Sequence, residues 1–359
     1  MTPLTLAQKA SRLLELHHGM QPLVLINAWD AASAAMVEHC GLPAIATSSA
    51  AMANALGFPD GQYLPWAQML EAVARVCRAV KVPVTADIES GFAPNVTALE
   101  TSITQIIRAG AVGVNLEDVM PASPDFQNDD SQKEDSSKTD PKKTDRNTAD
   151  ATTATTKTAE PIRHGSPLFP LSEQIARIQA ARRAAHAAGI HLVINARTDA
   201  YWQAGVSPAE AMRGTLERGK AYLQAGADCI FIPGLRNPDH IKTVIDHLSA
   251  GLHTANLPAA DLPTNDLRTA DLPNKDLRAA HQDTVHRVAP VNILAGPGVP
   301  SIPELAKLGV KRISYGSGPH RAAMGLLRRM AEEARTSGTF KTLTEGSVPY
   351  EEINGLFGK

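Results

Sequence analysis

The sequence has few aromatic residues, few cysteines and almost no net charge. Phe, Trp and Tyr make up 4% of its 359 residues, and the formal net charge is −2. The near-neutral charge gives no electrostatic reason to expect binding to nucleic acid or to an anionic membrane. The three cysteines (Cys40, Cys77 and Cys229) are widely spaced and odd in number. This pattern argues against a disulfide framework and against a cysteine metal site.

Long apolar stretches are also missing. No run approaches the roughly 18 apolar residues that a transmembrane helix needs. The amphipathic start of the chain lacks the apolar core of a signal peptide. Hydrophobic residues nevertheless form 43% of the sequence and charged residues 20%, an ordinary balance for a globular protein. We therefore expect a cytoplasmic protein, with neither nucleic acid nor a membrane among its partners.

Short apolar segments alternate with helical ones along the chain. An N-terminal helix is predicted over residues 4–18, and eight apolar strands follow, each succeeded by a helix. Continuous apolar strands are typical of parallel sheets that are covered on both faces. Eight such units predict a closed (β/α)8 barrel of the TIM type, with an open doubly wound sheet as the alternative. The predicted strands are residues 23–28, 44–49, 82–92, 113–118, 191–198, 229–234, 291–296 and 312–317.

Two segments interrupt this alternation. Residues 121–165, after the fourth strand, are rich in Asp, Lys, Thr and Ser, and this composition predicts a disordered insertion. Residues 249–285, before the seventh strand, contain a five-residue repeat with one leucine per copy. Three of its five copies carry proline after the leucine, so we interpret it as a low-complexity insertion rather than a pentapeptide β-helix. Residues 1–359 are then one barrel domain.

Acidic residues end two neighbouring predicted strands. Asp87 and Glu89 follow the apolar run that begins at Val82, and Glu117 lies at the end of the next strand. In a barrel of this type, the carboxyl ends of the strands form the active site. Clustered carboxylates tolerate one another when a cation or a proton lies between them, and oxygen ligands suit Mg²⁺ or Mn²⁺. With a residue from the loop after the second strand, the predicted metal ligands are Asp60, Asp87, Glu89 and Glu117.

Other strand ends predict the substrate contacts. Arg197 lies at the end of the fifth strand, and a guanidinium can bind a carboxylate or a phosphonate through two hydrogen bonds. Trp29 lies after the first strand, and the backbone NH groups of Ser48 and Ser49 can bind an anion. A metal together with an arginine indicates a small anionic carboxylate substrate whose carbonyl the metal polarises. Arg197 and Glu117 are therefore the candidate catalytic residues.

Several of these residues also have a purely structural interpretation. Asp30 is expected to cap a helix. Asp118 and Asp199 are expected to pair with backbone groups or basic neighbours rather than bind metal. Asp87 and Glu89 can instead form a structural ion-pair network, and Arg197 can be a structural partner of those two acids. The histidines show no ligand spacing, and the cysteines are expected to be core residues.

Four segments together resemble the isocitrate lyase / phosphoenolpyruvate mutase superfamily. They are Pro83-Val-Thr-Ala-Asp-Ile-Glu-Ser-Gly91, Gly113-Val-Asn-Leu-Glu-Asp118, Ile194-Asn-Ala-Arg-Thr-Asp199 and Ala225-Gly-Ala-Asp-Cys-Ile-Phe231. The likeness extends over most of the chain outside the two insertions. It implies a (β/α)8 barrel that binds Mg²⁺ and acts on 2-oxo-acid-like substrates through an enolate or a metaphosphate-like species. It also implies a homodimer or homotetramer, because the family often exchanges its last helix between subunits.

The resemblance also implies a role for each candidate residue. Asp87 corresponds to the direct metal ligand. Arg197 corresponds to the arginine that binds the substrate carboxylate, and Ser48 with Ser49 to the backbone donors. The positions that correspond to water-mediated metal ligands are Asp60, Glu89 and Glu117.

Three departures from the family pattern bear on the reaction. Glu89 stands where the family usually has an aspartate, and Ser49 stands where it has a glycine. The Lys-Lys-Cys-Gly loop of isocitrate and methylisocitrate lyases is missing after the fourth strand, where Asp118-Val-Met-Pro121 leads into the first insertion. The missing cysteine argues against standard isocitrate lyase activity.

Three hypotheses therefore remain for the function. The first is a Mg²⁺-dependent C–C lyase or decarboxylase that acts on a small 2-oxo or 2-hydroxy di- or tricarboxylic acid through an enolate. The second is a phosphonomutase or phosphonopyruvate hydrolase, which would act on a P–C bond. The third is a metal-binding scaffold without catalytic activity.

Overall fold

The computed structural model describes residues 4–121, 166–254 and 288–357. Nine short parallel strands form one sheet in these ranges. Most strand residues are buried on both faces, as expected for strands that are surrounded by helices. The strands are β1 (Leu23–Leu25), β2 (Asn27–Ala28), β3 (Ile45–Thr47), β4 (Val84–Asp87), β5 (Gly113–Glu117), β6 (Val193–Arg197), β7 (Cys229–Phe231), β8 (Val291–Leu294) and β9 (Arg312–Ser314).

The sheet closes on itself through the first predicted strand. That strand is interrupted at Ile26, so that β1 pairs with β9 while β2 pairs with β3. Each remaining strand pairs in parallel with the next one along the chain. The predicted (β/α)8 barrel is therefore confirmed, and the open doubly wound sheet is excluded.

Helices follow the strands around the barrel. Several begin at the residues that the sequence predicts, because a polar side chain caps the first turn. Thr5 and Gln8 form a capping box at the first helix, and Asp30 accepts from Ser33 N at 2.7 Å, which confirms its predicted role as a cap. The helices are α1 (Leu6–His17), α2 (Ala31–His39), α3 (Ser49–Ala55), α4 (Trp66–Ala79), α5 (Val96–Arg108), α6 (Leu171–Ala187), α7 (Pro208–Gln224), α8 (Pro238–Thr254), α9 (Ile302–Leu308), α10 (Gly318–Thr336), α11 (Lys341–Thr344) and α12 (Tyr350–Gly355).

Some predictions of local structure are wrong. The strands are shorter than predicted, and Ser49 begins the short helix α3 instead of ending a strand. Residues 249–254 continue α8, so the second insertion does not begin at residue 249. Cys40 is exposed rather than part of the core, because it follows the last turn of α2. Residues 122–165 and 255–287, which hold nearly all of both predicted insertions, lie outside the described residues.

Helix α1 covers the amino-terminal end of the barrel. Its Ala10 and Leu13 are buried against Leu23 and Leu25 of β1 and against Val193 of β6. Because α1 covers the amino-terminal end, the carboxyl ends of the strands form the open end of the barrel.

Within the described ranges, no helix combines the length and the apolar character that crossing a membrane requires.

A chain of buried polar side chains runs through the barrel interior above α1. Arg312 of β9 is fully buried and donates from Nη1 to His17 Nε2 at 3.2 Å and from Nη2 to Asn115 Oδ1 at 3.1 Å. His17 Nδ1 lies 2.7 Å from the carbonyl oxygen of Leu13. Burial, reinforced by the charge of Arg312, lowers the pKa of His17 to about 3, so the imidazole is neutral in the folded protein.

The neutral state of His17 predicts how stability depends on pH. The stabilisation is fully present above the unfolded pKa of about 6.5 and is lost as the pH falls towards the folded pKa of about 3. At pH 4.5 the free energy of unfolding should be lower by about 2–3 kcal/mol, since one pKa unit corresponds to about 1.4 kcal/mol. Chemical denaturation of His17→Gln at pH 7.5 and pH 4.5 should show a flatter dependence than the wild type.

The exposed His186 on α6 offers the control for that measurement. His186→Gln should keep the wild-type loss of stability between the two pH values. An unchanged pH dependence in His17→Gln would contradict the assignment of the buried imidazole.

Candidate active site

Three neighbouring strands bring the main candidate residues to one edge of the barrel. In the parallel register, Asp87 of β4 lies beside Asn115, and Glu117 of β5 lies beside Arg197 of β6. The backbone NH of Glu117 also donates to the carbonyl of Glu89 at 2.9 Å. Asp87, Glu89, Glu117 and Arg197 therefore come together at the open end of the barrel, as the strand pattern predicts.

Arg197 is held between two carboxylates. Its Nη1 lies 2.9 Å from Glu117 Oε2, and its Nε and Nη2 bind the two oxygens of Asp199 at 2.6 and 2.8 Å. Burial alone would lower the pKa of Arg197, but the charges of Asp199 and Glu117 raise it well above its usual value. The guanidinium is thus a permanent cation. The side chain of Arg197 is 23% exposed, whereas the side chain of Glu117 is only 4% exposed. Arg197 is therefore a structural partner of Glu117 and Asp199, and this pairing does not exclude a contact with substrate.

Ser49 orients the carboxylate of Asp87. Ser49 donates to Asp87 Oδ2 from its backbone NH at 2.9 Å and from its hydroxyl at 2.8 Å. The NH of Asp87 donates to Thr47 Oγ1 at 2.9 Å. Both hydrogen bonds to the carboxylate fall on Oδ2, so Oδ1 is the oxygen that the described residues leave available.

The predicted backbone donors already bind acceptors within the protein. The NH of Ser48 donates to the carbonyl of Ala28 at 3.1 Å, and the NH of Ser49 donates to Asp87. Their predicted contact with a substrate anion stays a prediction. Asp60 lies exposed in the segment between α3 and α4, and its role as a metal ligand stays a prediction as well.

Glu89 lies in a turn, not in the strand. Because β4 ends at Asp87, the prediction that a strand extends over residues 82–92 is wrong at Glu89. Glu89 has a φ of 50°, and its Oε1 accepts from Gln62 N at 3.1 Å. Gln62 and Phe92 also have positive φ angles, of 62° and 50°. Such conformations cost about 1–3 kcal/mol each for residues other than glycine and concentrate at functional sites.

The aromatic side of the open end contains a residue that sequence reasoning missed. The ring of Trp29, after β2, packs edge-on against His320 with 5.3 Å between ring centroids. His320, in the first turn of α10, is 6% exposed, and its Nδ1 has no hydrogen-bond partner among the described residues. The only sequence signal for His320 is its position shortly after the last strand, since no other histidine lies at ligand spacing from it.

Asp118 supports Arg197 indirectly, through Asp199. The carboxylate is fully buried and accepts from Arg218 at 3.1 Å, from the hydroxyl of Tyr222 at 2.7 Å and from the NH of Asp199 at 3.0 Å. Burial and the charge of Asp118 raise the pKa of Tyr222, so its hydroxyl keeps its proton and remains a donor. The predicted pairing of Asp118 with a basic neighbour is confirmed. Asp118 also positions Asp199, the aspartate that pairs with Arg197.

The donor set can be tested against a divalent cation. In the part of the chain that the structure describes, no three Asp, Glu, His or Cys side chains converge as a ready-made metal cage. Mg²⁺ usually keeps several waters and binds proteins through one or two carboxylates. A set with one available oxygen on Asp87, and with Glu89 and Glu117 nearby, fits that mode of binding. It does not fit a metal that needs a close all-protein cage.

The turn after β4 leads to a stability prediction. Gly91 has a φ of 99°, and a Cβ there would overlap Cδ1 of Leu99. Gly91→Ala should lower the free energy of unfolding by about 2–5 kcal/mol, from the left-handed backbone and from overpacking. Gly57 has a φ of 86° with open space around it, so Gly57→Ala should lose only about 1–2 kcal/mol. Equal losses in urea denaturation would contradict the steric part of this argument.

Known proteins match this chain over most of its length. The family model described as phosphoenolpyruvate phosphomutase matches residues 13–274 and 273–335. Phosphoenolpyruvate phosphomutase of Streptomyces hygroscopicus is 24% identical and covers 98% of this chain and 88% of its own length. The 2-methylisocitrate lyase of Bacillus subtilis is 26% identical and covers 68% of this chain and 65% of its own length.

A solved structure gives the same result. A candidate phosphonomutase of Burkholderia cenocepacia J2315 is 31% identical, covers 92% of this chain and 100% of its own, and superposes with a TM-score of 0.66. The relatives therefore include a lyase and a phosphomutase. Together with the acidic open end, these matches show that the chain belongs to the phosphoenolpyruvate phosphomutase family, within the isocitrate lyase / phosphoenolpyruvate mutase superfamily of enzymes.

Proposed function

We propose that this protein is a Mg²⁺-dependent enzyme that cleaves a C–C bond in a small 2-oxo or 2-hydroxy di- or tricarboxylic acid. The observation that carries the proposal is the grouping of Asp87, Glu117 and the cationic Arg197 at the open end of the barrel. Family membership alone does not choose between a lyase and a mutase, because the relatives include both.

Asp87 would hold the metal directly through Oδ1, which Ser49 leaves available by binding Oδ2. The three other acids would bind the ion through water, and Mn²⁺ would fit the same oxygen set. When bound, the ion would supply a Lewis acid for the oxo or hydroxy oxygen of the substrate. The residues proposed to act through water are Asp60, Glu89 and Glu117.

Arg197 would bind a carboxylate of the substrate. A guanidinium has five N–H donors, and the contacts with Glu117 and Asp199 use three of them. The remaining donors and the exposed part of the side chain can bind the substrate in a fixed orientation. Glu117 and Asp199 would hold the guanidinium rigid, which favours a defined position of the bond that breaks. Trp29 would contact the substrate on the apolar side of the open end, opposite Arg197.

The charge of the open end favours a dicarboxylate such as oxaloacetate over phosphonopyruvate. Asp87, Glu89, Glu117 and Asp199 are four acids, and Arg197, which pairs with Glu117 and Asp199, contributes one positive charge. A bound divalent cation would leave this group of side chains about one charge negative. Phosphonopyruvate carries more negative charge than oxaloacetate at neutral pH, so its binding would require more compensation. P–C bond chemistry is the second candidate, since the 31% identical structure is that of a candidate phosphonomutase.

The test is substrate turnover by the purified full-length protein in Mg²⁺, with EDTA and protein-free reactions as controls. Oxaloacetate would give pyruvate and CO₂, and 2-methylisocitrate would give pyruvate and succinate. Phosphonopyruvate would give pyruvate and phosphate by hydrolysis, or phosphoenolpyruvate by rearrangement. Turnover of either carboxylic acid supports the proposal. Turnover of phosphonopyruvate alone would favour the P–C alternative, and no turnover with Mg²⁺ bound would favour a catalytically silent scaffold.

Two aspartates make a matched pair for the metal assignment. Asp87→Ala should lower kcat/KM by at least about 1,000-fold and weaken Mg²⁺ binding, since it removes the direct ligand. Asp30, which also follows a barrel strand but caps α2, is the control. Asp30→Ala should lose about 1 kcal/mol of stability and keep its Mg²⁺ affinity. Retained Mg²⁺-dependent activity in Asp87→Ala would exclude Asp87 as the ligand.

We also propose that the protein is a homodimer or a homotetramer. Its C-terminal region exposes large apolar side chains, including Leu327 of α10, which is 57% exposed, and Phe340, which precedes α11 and is 74% exposed. Apolar side chains that remain exposed together mark association surfaces. Light scattering should give a multiple of the 38.1 kDa chain mass. Leu327→Asp with Phe340→Asp should shift the mass towards one chain, and a monomeric wild type would contradict the proposal.

A further inference from the structure

The turn that carries Glu89 is held in an unfavourable backbone conformation. We call residues 88–93 the Glu89 turn. It contains Glu89 and Phe92, both with a φ of 50°, and Gly91, with a φ of 99°. Its internal hydrogen bond runs from Gly91 N to Ile88 O at 2.7 Å. A left-handed backbone at two residues other than glycine persists only where surrounding contacts fix it.

One arginine binds this turn from outside. Arg177 of α6 is fully buried and donates from Nη2 to the carbonyls of Ser90 at 2.5 Å and Ala93 at 3.1 Å. Its guanidinium lies over the ring of Phe169, 4.6 Å from the centroid. The nearest carboxylate that pairs with it, on Glu173, is 3.9 Å away and half-buried. A fully buried guanidinium thus has carbonyls of the Glu89 turn as its closest partners.

The second support of the turn comes from Gln62. Its backbone NH binds Glu89 Oε1 at 3.1 Å, and its side-chain Nε2 binds Ser90 Oγ at 2.5 Å. Arg177 and Gln62 therefore bind Ser90 through different atoms, the carbonyl and the hydroxyl. The two contacts fix both the backbone and the carboxylate of the turn.

We propose that Arg177 is a positioning residue whose bonds to the Ser90 and Ala93 carbonyls hold the Glu89 turn left-handed, and thereby place the Glu89 carboxylate for a divalent cation. The role at the cation rests on the proposed function, whereas the role in the turn does not. Burying a charged group without an opposing charge at short range is unfavourable, so such an arginine is retained for what its hydrogen bonds organise. Here they organise an acid of the site that lies in a turn rather than in a strand.

The same helix supplies a matched control. Arg182 also binds backbone carbonyls, those of Gly226 at 2.6 Å and Leu192 at 2.7 Å, and it pairs with Asp228. These carbonyls precede β7 and β6, at the end of the barrel opposite the Glu89 turn. Arg182→Lys therefore removes a comparable set of contacts without touching the site.

The first measurement is amide hydrogen exchange of the full-length protein without metal. In Arg177→Lys, the amides of Gly91 and Glu117 should exchange at least about tenfold faster than in the wild type, because both bond to carbonyls of the turn. Arg182→Lys should leave these two amides unchanged. Unchanged exchange in Arg177→Lys would overturn the proposal whether or not the protein binds Mg²⁺.

The second measurement is Mg²⁺ binding by calorimetry on the same variants. Arg177→Lys should weaken Mg²⁺ by roughly 10–100-fold, as expected for a residue that positions a ligand, and Arg182→Lys should not. Equal Mg²⁺ affinity in wild type and Arg177→Lys would overturn the role at the cation. A wild-type protein that binds no Mg²⁺ would instead count against the proposed function. Hydrogen exchange alone would then decide whether Arg177 holds the Glu89 turn. If Arg177→Lys does not fold, Phe169→Leu, which removes the ring beneath the guanidinium, should shift both readouts in the same direction.

Discussion

The ion pair of Arg197 with Glu117 and Asp199 is the interaction on which the open end of the barrel depends. Three side chains that would each be unfavourable to bury alone satisfy one another there. The pair also joins adjacent strands, because Glu117 and Arg197 lie opposite each other in the β5–β6 register. Without the guanidinium, the acids at these strand ends would repel one another.

Further contacts fix two aspartates of the site, Asp199 and Asp87. Arg218 and Tyr222 bind Asp118, and Asp118 binds the NH of Asp199. Ser49 fixes Asp87 in the same way from the start of α3. Arg218, Tyr222 and Ser49 come from helices around the barrel, while the aspartates that they or Asp118 support lie at strand ends. Outer helices thus determine the geometry of the site as much as the strands do.

The sequence predicts the barrel and the acids at its strand ends because both depend on local patterns. Apolar runs of strand length and the residues that directly follow them can be recognised without knowing any long-range contact. The left-handed turn at Glu89 has no such signal, since glutamate rarely adopts a positive φ. Arg177 and His320 were missed for a different reason. Their partners lie far away in the sequence, and only the closed barrel brings them together.

The glutamate at position 89 changes more than the length of one side chain. Its carboxylate accepts from the NH of Gln62, two residues after Asp60, and so ties the segment between α3 and α4 to the turn after β4. An aspartate has one methylene fewer and would not reach that NH from the same backbone position. The bond therefore couples the placement of Asp60 to that of Glu89. In this chain, Asp60 and Glu89, two of the proposed water-mediated metal ligands, are therefore positioned together. This coupling is the structural consequence of a glutamate at position 89, where the family usually has an aspartate.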